Sequence, residues 1–293
     1  MEKVLITGAS GLIGKQLLKM IQDEYDCWIV GKENVYSSRV HFIQQDIGKA
    51  FDLDKFPSKM DYIIHLAQAK GHNDFPNNAD EIFKVNLFGM IQLLNYGEKA
   101  GIKKFLFASS GGIYGTSQKM FAEDGFNLKW TDLNFYQSTK LCTEILASSY
   151  EKFFKVISFR FFFVYGEEQK QDMLFPRLIR NIKLGEEITI GSIHDIKMNP
   201  IYKSDAANCV YRALKKVNEH QTFNIAGTQI VTLGEIIHEM AYQLEKKAKV
   251  CYADIGQNDM VADVRKMQEF LCIPQIPLHE GLAKVIGVER TEK

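Results

Sequence analysis

The sequence predicts an α/β fold in which a doubly wound parallel sheet carries a smaller, mixed C-terminal lobe. Short aliphatic runs alternate with segments of helical periodicity through the first half of the chain, which is typical of a parallel sheet covered on both faces. The first run, Val4 to Ile6, is followed at once by a glycine-rich turn and a helical pattern. With 293 residues, of which 46% are apolar, the chain can bury a sizeable core.

The turn after the first strand reads ITGASGLIG and has glycines at positions 8, 11 and 14. Glycines let the backbone approach a pyrophosphate, and the N–H groups of the first helical turn point at its charge. Gly14 is expected to let the helix pack close to the strand. Because this turn directly follows a strand of the buried type, it predicts a Rossmann-type dinucleotide site.

Further strands are predicted from apolar runs that end in polar or small residues. These end residues are expected at the carboxyl edge of the parallel sheet, where ligands collect. These strands cover residues 27–30, 40–44, 62–66, 104–108 and 156–163. A helix is predicted over residues 80–99, and Gly101 ends it. The polar residues 70–79 are expected to form a loop over the carboxyl edge of the sheet.

The pattern divides the chain into two parts. Residues 1–165 are predicted to form a dinucleotide-binding domain, and residues 166–293 a mainly substrate-binding lobe. A buried-type strand at 223–226 is expected to rejoin the sheet. In the second part, Thr232 and Glu235 have the spacing of a capping box at the start of a helix.

A tyrosine and a lysine, Tyr136 and Lys140, are four residues apart and therefore lie on one face of a predicted helix. A cation beside a phenol favours the phenolate, so we expect Lys140 to lower the pKa of Tyr136. Ser110, at the end of a neighbouring strand, is expected to hydrogen-bond the same substrate oxygen. Together they predict a proton-transfer site beside a nicotinamide.

The residue after the second strand of such a fold usually meets the adenosine ribose, and an acid there favours NAD. Here that residue is Lys32, and Arg39 follows a few positions later. Cations at this place pair with the 2′-phosphate of NADP. The alternative is a solvated Lys32 with Glu33 at the ribose, so the expectation is NADP or NAD, with NADP slightly favoured.

With these motifs on one chain, the sequence resembles the extended short-chain dehydrogenase/reductase family, in its nucleotide-sugar epimerase/dehydratase branch. The matching segments are ITGASGLIG, HLAQA, KVNLFGMIQLL, FASSGGIYG, YQSTK and RFFFVYG, with FNIAG and LHEGLAKVI further on. The resemblance spans nearly the whole chain and implies that Ser110, Tyr136 and Lys140 are catalytic. It also implies a set of cofactor-lining residues: Gly8, Ser10, Gly11, Leu12, Ile13, Gly14, Lys32, Asp46, Ile47, Leu66, Ala67, Gln68, Asn86, Tyr136 and Lys140.

Departures from the family pattern bear on the reaction. Gly111 and Gly112 stand where the dehydratases of the family have an Asp–Glu pair, so dehydration is not expected. The glutamate of the decarboxylases and the cysteine of the fucose-type epimerase-reductases are also absent from position 112. Phe163 and Met198 replace the asparagine and arginine that usually contact the nucleotide diphosphate, and Arg265 is a candidate second phosphate contact.

Bulk properties exclude some partners. Formal net charge is zero, from 36 basic and 36 acidic residues, which argues against nucleic-acid or membrane-surface binding. No apolar run reaches the roughly 18 residues that cross a bilayer, so a cytoplasmic protein is expected. The histidines and cysteines lack ligand spacing, so no metal site is predicted. His65 ends a strand and is expected to be structural.

Two classes of function remain after this reading. The first is an NAD(P)-dependent hydride-transfer enzyme acting on a nucleotide-linked sugar, either a 4-epimerase or a 4-keto-sugar reductase. The second is an NAD(P)-binding regulatory or scaffold protein on the same fold. A proton relay is of no use to a sensor, so the Ser110, Tyr136 and Lys140 set favours the enzyme. A homodimer is expected from the resemblance and from the apolar residues that follow Tyr136.

Overall fold

A computed structural model describes residues 1–34, 39–69, 71, 74–115, 119–124, 130–191, 195–254 and 258–291. Of the predicted loop at 70–79, positions 70, 72 and 73 lie outside the described residues. The loop's remaining residues lead into the helix that begins at Ala79.

The first half of the chain alternates strands and helices, as the aliphatic runs predict. Its elements are β1 Lys3–Thr7, α1 Leu12–Ile21, β2 Asp26–Gly31, β3 His41–Gln44, β4 Tyr62–His65, α2 Ala79–Phe83, α3 Gly89–Ala100, β5 Lys104–Ser110, α4 Phe135–Ser148 and β6 Lys155–Phe161. Val4, Leu5 and Ile6 of β1 are all fully buried, because helices cover both faces of the sheet.

The second half is less regular and contains several two-residue strands. Its elements are β7 Val164–Tyr165, α5 Leu174–Leu184, β8 Glu187–Gly191, β9 Lys197–Met198, β10 Ile201–Tyr202, α6 Lys203–Lys216, β11 Gln221–Ile225, β12 Val231–Thr232, α7 Leu233–Gln243, β13 Lys249–Ala253, α8 Arg265–Phe270 and α9 Leu278–Thr291. The capping box expected at Thr232 and Glu235 is present at the start of α7.

The described residues form a seven-stranded parallel sheet in the order β3-β2-β1-β4-β5-β6-β11. The predicted doubly wound parallel fold is therefore confirmed. After β3 the chain returns to the other side of β1, so the order reverses between β1 and β4. Ligands of open α/β sheets bind in the crevice at this reversal, outside the carboxyl ends of the strands.

The second half of the chain contributes to two hydrophobic cores, one on the main sheet and one of its own, which we call the second core. The second core contains side chains of α5, α7 and α9, and Phe175, Ile179 and Ile236 in it are fully or almost fully buried. By contrast, α6 packs on α1 against the main sheet, and β11 pairs with β6 inside it. Residues after 166 thus contribute to the sheet layers as well as to the second core.

Two local features differ from the sequence-based prediction, and the predicted helix end is confirmed. The helix predicted over 80–99 contains a π-helical turn, Lys84–Phe88, between α2 and α3. The strand predicted over 156–163 ends at Phe161, because Phe163 adopts a positive φ of 41° that an extended strand excludes. Gly101 ends α3 in the left-handed conformation, as expected.

No helix among the described residues combines the length and apolar character needed to cross a membrane.

Candidate active site

In the glycine turn between β1 and α1, the backbone lies so close to neighbouring backbone that side chains would not fit at two of the glycines. Gly8 has a φ of +75°, and a Cβ atom added there would lie 2.5 Å from the backbone nitrogen of Ala67. A Cβ at Gly14 would overlap the carbonyl oxygen of Gly8. The N-cap residue of α1, Gly11, has no side chain, so no side-chain cap occupies the N–H groups of the first helical turn, which an anion can meet. These features fit a dinucleotide pyrophosphate.

The segment after β4 lies beside this turn and is held to it by Thr7. The hydroxyl of Thr7 is 2.7 Å from Nδ1 of His65, and the backbone N–H of Ala67 donates to the same hydroxyl at 3.4 Å. Burial and the charge of Lys140 lower the pKa of His65 to about 3. His65 is therefore neutral and structural, which agrees with the expectation from sequence.

Asn86, in the π-helical turn, connects the β4 segment to α4. Its Oδ1 accepts from the backbone N–H of Ala69 at 3.0 Å, and its Nδ2 donates to the hydroxyl of Thr139 at 3.0 Å. That hydroxyl donates to the carbonyl of Tyr136 at 2.7 Å. Both polar groups of this buried amide are bonded within the protein, so Asn86 holds the two segments that line the site. π-helical turns of this kind are frequent at functional sites.

The helix that carries Tyr136 and Lys140, α4, begins with a capping box between Asn134 and Gln137. Lys140 lies one turn after Tyr136, with its Nζ 5.8 Å from the centre of the tyrosine ring and 3.0 Å from the carbonyl oxygen of Ala108. Ser110, the last residue of β5, accepts the N–H of Gly112 at 3.1 Å through its Oγ. The three predicted catalytic residues thus come together at the carboxyl edge of the sheet.

The protonation states at this site are set mainly by burial. Burial raises the pKa of Tyr136 to about 12, and a hydrogen bond with Ser110 partly offsets the effect. Burial also lowers the pKa of Lys140 to about 8, while the nearby Glu144 carboxylate acts in the opposite direction. The expectation of a lowered phenol pKa is therefore wrong for the free protein: burial outweighs the hydrogen bond with Ser110, which lowers the pKa, and Lys140 donates to a backbone carbonyl.

Gln68 contributes a contact to the phenol that its sequence position alone did not predict. The hydroxyl of Tyr136 donates to Oε1 of Gln68 at 3.0 Å. Gln68 belongs to the set predicted to line the cofactor, and the structure places its side chain at the hydroxyl of Tyr136.

An ion pair between α4 and β6 was missed by the sequence reasoning. Arg160 of β6 donates to Glu144 through Nε at 3.0 Å and through a terminal nitrogen at 2.8 Å, and both side chains are buried. Another terminal nitrogen donates to the hydroxyl of Tyr114 at 2.7 Å. This hydroxyl donates in turn to Oδ1 of Asn224 at 2.8 Å. The network ties α4 to β6 and β11, directly behind the turn that carries Lys140.

At the expected ribose position, the structure separates the two cations that favoured NADP. Lys32 follows β2 at the carboxyl edge, where its Nζ lies 3.2 Å from Oδ2 of Asp46. Arg39 precedes β3 and pairs with Asp23 at 3.3 Å, at the amino edge of the sheet. Strands of this length separate the two edges by roughly 15 Å. The expectation that Arg39 joins Lys32 at the cofactor is therefore wrong.

The segment after β7 joins the second half of the chain to the cofactor turn. Glu168 forms an ion pair with Lys15, in the first turns of α1. Its neighbour Glu167 pairs with Lys203 at 2.9 Å and accepts from the hydroxyl of Tyr202. Sequence reasoning did not anticipate these contacts, which hold the start of the C-terminal part over the dinucleotide turn.

The positions expected to contact a diphosphate are altered in structure as well as in sequence. Met198 is buried and pairs with Val231 of β12, so it offers no polar group. Phe163 packs between the second core and a smaller aromatic cluster. The guanidinium of Arg265 is mostly exposed and held by Asp263, with its closest contact at 2.6 Å.

The two glycines after Ser110 leave no room for an acidic pair. A Cβ atom at Gly111 would lie 2.5 Å from the ring of Phe162, and one at Gly112 would lie 3.0 Å from Nε2 of Gln137. The ring of Phe162 therefore excludes a side chain at Gly111, and Gln137 would have to shift to admit one at Gly112, the two positions where the dehydratases of the resemblance place acids.

Within the part of the chain that the structure describes, no group of three or more His, Cys, Asp or Glu side chains is placed to hold a metal ion. His72 and His194 lie outside that part.

Taken together, the sheet reversal, the glycine turn and the Ser–Tyr–Lys set define a dinucleotide-dependent enzyme of the short-chain dehydrogenase/reductase class. Residues 4–226 match the model of the NAD dependent epimerase/dehydratase family. The chain belongs to that family.

Similar proteins of known name include both epimerases and reductases. An uncharacterized UDP-glucose epimerase, YtcB, of Bacillus subtilis is 27% identical, over 97% of this chain and 97% of its own length. The dTDP-4-dehydro-6-deoxyglucose reductase of Escherichia coli is 26% identical, over 97% of this chain and 96% of its own length. Among solved structures, the UDP-glucuronic acid 4-epimerase of Bacillus cereus, in complex with UDP-glucuronic acid and NAD, is 26% identical with a TM-score of 0.88. That match covers 99% of this chain and 100% of the other.

Proposed function

We propose that this protein moves a hydride and a proton at one carbon of a nucleotide-linked sugar, as a 4-epimerase. The observation that carries the proposal is the convergence of Ser110, Tyr136 and Lys140 at the carboxyl edge, beside the glycine turn. Relatives that act on such sugars support the substrate class. Gly111 and Gly112 argue against a 4,6-dehydratase, because no acid is available beside the sugar.

Each residue has a distinct role in this proposal. Gly8, Gly11 and Gly14 would hold the pyrophosphate of the cofactor, whose nicotinamide supplies hydride-transfer chemistry when bound. Tyr136 exchanges a proton with the sugar oxygen, and Ser110 hydrogen-bonds that oxygen and orients it. Lys140 places a positive charge beneath the ring, which stabilises the phenolate when the proton leaves.

A reductase of a 4-keto-sugar is the second candidate, and one observation favours it. Burial keeps Tyr136 protonated in the free protein, with its pKa raised to about 12. A protonated phenol is ready to donate to a carbonyl oxygen, which is the step a reductase needs. An epimerase must first take a proton from the sugar hydroxyl.

The test incubates the protein with UDP-glucuronic acid or UDP-glucose and catalytic NAD, and separately with a dTDP-4-keto-sugar and NADH or NADPH. An epimerase interconverts the sugars with no net change in cofactor, whereas a reductase consumes reduced cofactor in proportion to product. Tyr136→Phe should bind as the parent does and lose about 10²–10⁴-fold in turnover. Full activity of that variant would refute the catalytic role of Tyr136, whereas a parent protein that binds NAD(P) and turns over none of these sugars would favour the regulatory or scaffold protein.

For the cofactor itself we propose NAD. Only Lys32 of the two candidate cations lies at the ribose edge, and it is paired with Asp46, which offsets its charge. An exposed contact to a 2′-phosphate contributes on the order of 1 kcal/mol at most. Isothermal titration should find NAD bound at least as tightly as NADP. Tenfold tighter NADP binding that is lost in Lys32→Ala would overturn the proposal.

We also propose a homodimer formed through the helices that carry Asn86 and Tyr136. Large apolar side chains are exposed on this side of the molecule: Phe83 is 52% exposed, Phe88 39% and Ile145 59%. Residues of α2, the π-helical turn and α4 are neighbours in the fold, so these side chains extend over adjacent helices. Such exposed apolar surface is typical of a protein–protein contact.

A further inference from the structure

We propose that Gln68 is a positioning residue that holds the Tyr136 hydroxyl in its protonated form until substrate replaces it. The inference rests on the proposed function and goes beyond it, since it concerns how strongly the phenol retains its proton before the sugar displaces Gln68. The observation is the hydrogen bond from the Tyr136 hydroxyl to Oε1 of Gln68, 3.0 Å long. The two residues are 68 positions apart, and the sheet order brings them together.

Hydrogen bonds hold the backbone on both sides of Gln68, and they fix the position from which its side chain extends. The preceding residue, Ala67, donates its N–H to Thr7, and the following residue, Ala69, donates to Asn86. Asn86 is also linked through Thr139 to the carbonyl of Tyr136. The donor and the acceptor of the hydrogen bond are thus both tied to the same buried amide.

The hydrogen bond from Tyr136 to Gln68 acts in one direction: it favours the protonated phenol over the phenolate. An amide carbonyl oxygen accepts a hydrogen bond and has no proton to give, so it stabilises the phenol and not the phenolate. A hydrogen bond to the neutral form of an acid disfavours its ionised form. Ser110 acts in the opposite direction, because its hydrogen bond lowers the pKa of Tyr136. The phenol therefore lies between Gln68, which favours retention of its proton, and Ser110, which favours its release. The charged group that faces the ring is Lys140, with its Nζ 5.8 Å from the ring centre and bonded to the carbonyl of Ala108.

The side chain of Gln68 is exposed, which allows it to be displaced. A sugar oxygen that enters beside Ser110 takes over as the partner of the phenol, and Gln68 then moves aside. The effect of Gln68 therefore belongs to the enzyme before the sugar binds. The pH profile of kcat/KM reports groups of the free enzyme, whereas that of kcat reports the substrate complex.

The experiment compares Gln68→Ala with Gln68→Glu, both loaded with NAD and assayed with UDP-glucuronic acid or UDP-glucose. Gln68→Ala removes the acceptor and admits water, so the pKa in the kcat/KM profile should fall by about half to one pH unit. Gln68→Glu replaces the amide with an anionic acceptor and should raise it by about one unit or more. The kcat profile should shift less in both variants. Gln275→Glu, an exposed position on the turn before α9, is the matched control for added charge.

A second readout requires no turnover. The ultraviolet difference absorbance of tyrosinate, recorded against Tyr136→Phe in each background, titrates this phenol directly. Opposite shifts in the two variants support the proposal. Shifts in the same direction, or none in either variant, overturn it even if Tyr136→Phe is inactive. If the parent protein turns over neither sugar, the proposed function fails, whereas the absorbance titration still decides the role of Gln68.

Discussion

Replacing Lys140 with methionine should change the pH dependence of stability by an amount that the structure fixes. Burial lowers the pKa of this amine from its ordinary 10.5 to about 8, and Lys140 is only 3% exposed. A difference of this size corresponds to about 3 kcal/mol of destabilisation when the folded protein keeps the amine charged. Methionine has a similar length and no charge, so Lys140→Met removes that cost.

The sign follows from proton binding in the two states. Below about pH 8 the amine is charged in both the folded and the unfolded chain, so the whole burial cost is present. As the pH rises from 8 towards 10.5, the folded state releases the proton first, and the unfolded state binds more protons. Stability of the parent protein therefore rises with pH in this window, and the advantage of Lys140→Met shrinks.

The magnitude can be worked out for two convenient conditions. Between about pH 7 and pH 9.5 the parent should gain about 2 kcal/mol relative to Lys140→Met. The absolute difference at pH 7 is smaller than 3 kcal/mol, because methionine leaves the carbonyl of Ala108 without its donor, which costs about 1–3 kcal/mol. The change with pH does not depend on that loss, so it is the quantity to measure.

The assay is urea unfolding of the cofactor-free protein at the two pH values, with the free energy of unfolding extrapolated to water. Tyr136→Phe, one turn away, is the matched control. The phenol pKa of about 12 keeps Tyr136 protonated in this window, so the difference for that variant should change by only a few tenths of a kcal/mol. A parent-to-variant difference for Lys140→Met that stays constant within about 0.5 kcal/mol would refute the reasoning.

Three further predictions concern the cofactor turn, the buried ion pair and the exposed apolar face. Gly11→Asp should abolish NAD binding in isothermal titration, because its carboxylate would face the pyrophosphate, whereas Gly11→Ala should weaken binding less, since its Cβ adds only a tight 3.1 Å contact with the carbonyl oxygen of Gly8; equal binding by both variants would contradict this. Glu144→Ala should lower the free energy of unfolding by about 3–5 kcal/mol, because Arg160 is left buried without its carboxylate; a loss below about 1 kcal/mol in urea unfolding would contradict this. Ile145→Glu should convert a dimer to a monomer in light scattering at micromolar concentration, and a monomeric parent would exclude the dimer altogether.

Some site features are local in the chain, and these could be predicted from it. The dinucleotide turn needs only a strand, three glycines and a helix in immediate succession, and the structure places them as expected. The Tyr136 and Lys140 pair follows from the period of one helix. The buried parallel strands are local features too. Strands that are buried on both faces carry apolar residues at successive positions, so continuous apolar runs predicted them.

Partnerships between distant residues were decided only by the tertiary structure. The positions of Lys32 and Arg39 in the sequence suggested one cationic site, but the length of a β-strand puts them at opposite edges of the sheet. Likewise, nothing near Tyr136 in the sequence identifies Gln68 as its partner, because the pairing of β4 with β5 and the packing of α4 on β5 create that contact.

The protonation state of the site depends on tertiary structure for the same physical reason. The spacing of Tyr136 and Lys140 predicted a lowered phenol pKa, yet burial raises it, and the hydrogen bond with Ser110, at the end of β5, acts to lower it. Desolvation depends on everything that surrounds a group, whereas spacing along a helix specifies only one neighbour. The sequence by itself determined the fold, the family and the positions of the proposed catalytic residues; only the packing of distant segments around them decided their charges and their partners.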